Sequence, residues 1–84
     1  MTLFTNSLLT SNHYNQRVQA IETMQANMTP AEFKGFLKGN IIKYCCRCGR
    51  KDEEASEVKK ILVYATWLYE ASQGKTINPR QISL

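Results

Sequence analysis

The tetrapeptide Thr29-Pro30-Ala31-Glu32 constrains this chain more than any other stretch. A threonine followed three residues later by a glutamate is the signature of a capping box, in which each side chain satisfies a backbone N–H at the other end of the first turn. Pro30 at the first helical position presets φ and wastes no amide hydrogen. The spacing predicts a helix that opens at Pro30 and runs to about Cys48, where Gly49 can take the left-handed conformation that closes helices. Asp52 then stands where it would cap a further helix, with Glu53 and Glu54 at the positive end of its dipole. That helix is expected to end near Ser72, just before Gly74. An earlier helix, from about Asn15 to Ala26, is supported by Val18, Ile21 and Met28 at helical spacing. No run of alternating β-branched residues points to a strand. The expected fold is all-α: a small three-helix domain over residues 13–74. An N-terminal arm, residues 1–12, carries Leu3, Phe4, Leu8 and Leu9, and a tail follows over residues 75–84.

Helical periodicity sorts the faces. Phe33, Leu37, Ile41, Tyr44 and Cys48 share one stripe of the middle helix, which should face the core. Asn40, Lys43 and Arg47 form a second stripe beside it, with Lys51 nearby if the turn extends. On the third helix Val58, Ile61, Leu62, Ala65, Leu68 and Tyr69 read as the core face, flanked by Lys60, Tyr64 and Trp67. An exposed Trp67 and an uncharged apolar arm on a chain with so small a core lead us to expect a homo-oligomer.

The segment Lys38 to Lys51 concentrates five cations, an Asn, a Tyr and all three cysteines, so its chemistry has to be weighed. Cys45-Cys46-Arg47-Cys48 contains a C-x-x-C spacing, but a structural zinc site takes four ligands, and His13 is the one other soft candidate. The three cysteines do not share one side of a helix, and no βαβ pattern accompanies them as a thioredoxin-like motif would require. We therefore expect no metal and read the cysteines as buried or half-buried structural thiols in a reducing cytosol. A net charge of +4 with seven acids interspersed is a thin footprint for nucleic-acid binding, the third function considered. No apolar run approaches the roughly 18 residues that cross a membrane. The N-terminus lacks the Lys or Arg that begins a secretory signal.

Lys43 and Arg47 stand one helical turn apart, close enough to grip one phosphate, Arg with a planar fork of donors and Lys with a compact charge. Taken alone such a pair is as readily a solvated basic face. The wider order of residues adds to it. His13-Tyr14, then Ile21-Glu22, then Gly39-Asn40-x-x-Lys43-Tyr44-x-x-Arg47-x-Gly49-x-Lys51, then Lys60 and Tyr64, resembles the nucleotide kinase-like family of tailed phages. The resemblance spans residue 13 to about residue 70. Ile61 and Ala65 stand where the family has Ala and Leu, and Asn15-Gln16-Arg17 replaces a glycine-rich turn.

That resemblance implies a nucleotide site at a seam between helices, carried by His13, Tyr14, Asn40, Lys43, Tyr44, Arg47, Lys51, Lys60 and Tyr64. In this reading the four cations neutralise phosphates, His13 and Asn40 make directional hydrogen bonds, and Tyr14, Tyr64 or Trp67 stacks on a base. The expected function is binding of nucleotides or nucleotide-derived anions in the cytoplasm of an infected bacterial host, including sequestration of a nucleotide messenger of defence. The alternative is a nucleoside monophosphate kinase without a P-loop, which would need ATP and Mg²⁺. Its acidic candidates for the metal, Glu22, Asp52 and Glu53, form no convincing cluster in the sequence. That, and a chain shorter than the family's catalytic member, favours binding over catalysis.

Overall fold

A computed structural model describes residues 12–50 and 53–81, with side chains described from residue 16 onward. Three helices follow in order: α1 over Asn12–Asn27, α2 over Pro30–Arg47 and α3 over Glu54–Ser72. No strand occurs among the described residues. His13 and Tyr14, expected just ahead of the first helix, lie within the first turn of α1.

The punctuation that defines α2 forms as the sequence predicts. Thr29 sits in extended backbone, its Oγ1 accepts from the Glu32 amide at 3.2 Å, and Glu32 Oε1 accepts from the Thr29 amide at 2.8 Å. Gly49 closes the helix at φ 75°. The start of α3 differs from expectation: the cap position is Glu53, which makes no side-chain cap hydrogen bond, and Asp52 lies outside the described residues. The far end of α3 is a Schellman closure. The Lys75 amide donates to Glu70 C=O at 3.1 Å and the Gly74 amide to Ala71 C=O at 3.0 Å, with Gly74 at φ 79°.

The core is built chiefly between α2 and α3, and α1 lies against α2. Val18 and Ile21 are buried from α1, with Met24 and Met28 half-buried against them. Phe33, Leu37 and Tyr44 are buried from α2, and Ile41 and Cys48 continue their stripe half-buried. On α3 the expected face is corrected. The buried residues are Glu57, Val63, Tyr64 and Trp67, while Val58, Leu62, Ala65 and Tyr69 face outward. Ile61 and Leu68 stay half-buried against the core. Apolar side chains surround much of α3, so periodicity alone cannot select its inner face; the packed pair Tyr64 and Trp67 takes the interior and leaves Tyr69 outside. Trp67 is only 3% exposed, because it packs edge-on against Tyr64 at 5.3 Å between centroids.

The chain after Gly74 returns to α1. Gln25 holds Ile77 by both of its amide groups, its Nε2 donating to Ile77 C=O and its Oε1 accepting from the Ile77 amide, each at 3.0 Å. Ile77 and Pro79 are buried there. Arg80 then grips Glu22 through Nε at 2.9 Å and Nη2 at 3.1 Å.

Candidate functional site

Two tyrosines, one from each long helix, form the base of the site. Tyr44 and Tyr64 stack with centroids 5.7 Å apart and planes inclined by 27°. Phe36 meets Tyr64 edge-on at 6.3 Å, and Trp67 closes the opposite side. Both tyrosines are 4% exposed. Burial of this kind contributes about 1.5–3 kcal/mol for a large apolar side chain and so fixes the register of α2 against α3.

Cations gather around Tyr44. Lys43 Nζ lies 4.7 Å from the ring centroid, Lys60 Nζ 5.3 Å and Arg47 Cζ 5.7 Å. These are cation–π distances, at which a ring offers its negative face to positive charge. Lys43 and Arg47 come from α2 and Lys60 from α3, so the cluster exists only in the folded hairpin. Asn40, one turn earlier, donates its Nδ2 to Phe36 C=O at 2.9 Å.

The structure thus brings together Lys43, Tyr44, Arg47, Lys60 and Tyr64, with Asn40 at the N-terminal side of the same stripe. Tyr64 and Trp67, considered as base-stacking platforms, are instead buried with their rings packed on other aromatics, so neither presents a face to solvent. Lys51 and the side chains of His13 and Tyr14 lie outside the described residues.

The sequence reading missed Glu57. Its side chain is wholly buried, with Oε1 3.6 Å from Arg47 Nη2 and 3.9 Å from Lys60 Nζ. In the sequence it looks like one more acid in the first turn of a helix, after Glu53 and Glu54. A signal was present nonetheless. Glu57, Lys60, Tyr64 and Trp67 recur at helical spacing, so a core placed on the aromatics carries Glu57 inward with them.

The cysteines stand apart from this chemistry. The burial expected of the cysteines is corrected for two of them: Cys45 and Cys46 are exposed, because they lie off the stripe that faces the core, and Cys48 alone is half-buried. The Cys48 thiol is pushed above its ordinary range, first by desolvation and then by Glu54, Cys45 and Glu57, which disfavours the reactive thiolate. Among the described residues no three His, Cys, Asp or Glu side chains converge as a metal site would require. Glu22, a candidate for magnesium in the kinase reading, is engaged by Arg80. No described helix is long and apolar enough to cross a membrane.

A helical hairpin with cations ringed around a buried tyrosine pair defines a small all-α domain that presents positive charge at a helix seam. The chain belongs to the family described as a protein of unknown function, DUF3310, whose match covers residues 8–66. It is 41% identical over 68 residues to the gene 1.7 protein of Enterobacteria phage T3, covering 75% of this chain and 41% of that relative. It is 47% identical over 38 residues to the nucleotide kinase gp1.7 of Escherichia phage T7, covering 45% of this chain and 19% of that relative. The chain therefore spans less than half the length of these curated relatives. These matches bear out the resemblance to a nucleotide kinase-like phage family. No solved structure matches the chain.

Proposed function

We propose that this protein binds nucleotides or nucleotide-derived anions at the seam of α2 and α3. One observation carries the reading: Lys43, Arg47 and Lys60, drawn from two helices, converge on one tyrosine ring within 5.7 Å of its centroid. Glu57 offers one negative charge against the three cations, and several phosphate oxygens would balance the remainder. The printed name of the phage T7 relative, a nucleotide kinase, supports a nucleotide as the source of those oxygens. Lys51 extends the cationic set in the sequence, and His13 with Tyr14 supplies the remaining polar groups of the proposed site.

A second reading, transfer of a phosphoryl group to a nucleoside monophosphate, is favoured by the same relative's name. It would draw on ATP and Mg²⁺, with the cations neutralising the transferred group. Binding without turnover would instead fit sequestration of a nucleotide messenger in the infected cell.

A thermal-shift screen of mono-, tri- and cyclic nucleotides tests the binding reading. Ligand at 100 times its dissociation constant should add about 2.7 kcal/mol of stability, read as a raised melting midpoint. An assay with ATP, Mg²⁺ and nucleoside monophosphates then separates a kinase from a binder. If no nucleotide raises the midpoint and none co-purifies, the ligand class is wrong.

A further inference from the structure

Glu57 is the one charged residue buried among the described residues, at 0% exposure. Its burial is not explained by the helix dipole, since the exposed Glu53 and Glu54 already supply negative charge at that end of α3. A buried carboxylate is costly unless it is paired, and a native exception calls for a role. Neither Glu57 oxygen accepts a hydrogen bond from a described residue, and its contacts with Arg47 at 3.6 Å and Lys60 at 3.9 Å are those of charge rather than hydrogen bonding. The arrangement is layered. The carboxylate lies beneath, while the Arg47 and Lys60 side chains remain 38% and 28% exposed above it. An anion arriving from solvent meets the cations first.

We propose that Glu57 is the positioning residue of the anion site: its buried carboxylate holds Arg47 of α2 and Lys60 of α3 toward one solvent-facing point, so that a phosphate meets a preformed pair. This rests on the nucleotide reading above and adds the element that organises it. The sign of the effect distinguishes positioning from bulk electrostatics. Removing a negative charge from an anion site strengthens binding if only net charge matters. It weakens binding if the charge is what orders the cations, because the ligand must then order them itself.

The test compares wild type, Glu57→Gln and Glu57→Asp by calorimetric titration with ATP and with inorganic triphosphate at fixed ionic strength. Helicity and melting are recorded for each variant. Positioning predicts binding weaker by about tenfold or more in folded E57Q, with part of the loss recovered in E57D. Unchanged or tighter binding by folded E57Q, beside measurable binding by wild type, would overturn the role of Glu57 alone. Failure of wild type to bind either probe would overturn the role of Glu57 at a preformed phosphate site, and the nucleotide reading falls with it only if the mono- and cyclic nucleotides of the thermal-shift screen also leave the midpoint unchanged. Should E57Q fail to fold, guanidinium rotation in the wild-type protein, measured by NMR without ligand, still decides. Positioning requires that Arg47 rotate much more slowly than Arg50. Equal rotation would exclude a preformed pair.

Discussion

Arg47 and Arg50 carry the same charge three positions apart, and their settings differ. Arg47 lies against Tyr44 and Glu57, while Arg50 is exposed in the turn, its amide donating to Arg47 C=O. A charge-assisted contact is worth roughly 1.5–3 kcal/mol, or about 10- to 150-fold in affinity. Arg47→Ala should therefore weaken nucleotide binding by that order and Arg50→Ala by far less, as titration of both variants would show. Equal losses would mean that only diffuse charge acts. The cysteines make a separate test at this scale. Because the Cys48 thiol is shifted upward, its thiolate fraction at any given pH is lowered, and its labelling should rise only at higher pH. Iodoacetamide should modify Cys45 and Cys46 before Cys48, and mass spectrometry showing Cys48 labelled first would contradict the assignment. Lys43 and Arg47 were legible in the sequence because i and i+4 on one helix fix their proximity. Glu57 was not, because its meaning depends on which way α3 is rotated.

Helix boundaries were legible because they are written in adjacent residues. The capping box needs only Thr29 and Glu32, and both of its hydrogen bonds are present. Thr29→Ala removes the hydroxyl and leaves the Glu32 amide without that acceptor. The change should cost about 1 kcal/mol, lowering the melting midpoint by roughly 4–8 °C in a domain of this size. A melting curve unchanged by the substitution would show that α2 does not depend on its cap. Rotation was less legible than length. The α2 stripe of Phe33, Leu37 and Tyr44 was found because only Phe36 and Ile42 among the large apolar residues of that helix fall off it. On α3, aliphatic Val58 and Leu62 compete with aromatic Tyr64 and Trp67 for the interior, and the larger rings occupy it. Periodicity weighs all apolar side chains alike, whereas packing favours those that bury the most area.

At the scale of the whole molecule, contacts between distant residues matter most, and these leave the least trace in a local pattern. Gln25 and Ile77 are 52 positions apart, and nothing in either neighbourhood announces their paired hydrogen bonds. The described part of the tail, residues 75–81, is nonetheless part of the fold, with Ile77 and Pro79 buried and Arg80 bound to Glu22. What the fold leaves outside bears on assembly. Val58, Leu62 and Tyr69 are 47%, 45% and 66% exposed and recur with Ala65 at helical spacing along α3. An apolar stripe of this kind facing water is unfavourable, and a second copy meeting it would relieve that cost. We therefore expect self-association through the outer face of α3, opposite in sense to the inner face that carries the anion site. Light scattering should give a mass that is a multiple of 9.6 kDa at micromolar concentration. Leu62→Lys should return the mass to that of one chain with helicity retained, since Leu62 is not part of the core and a surface substitution rarely costs more than about 0.5 kcal/mol. A wild-type mass of 9.6 kDa across that range would exclude the oligomer, and a multiple that survives Leu62→Lys would move the interface elsewhere.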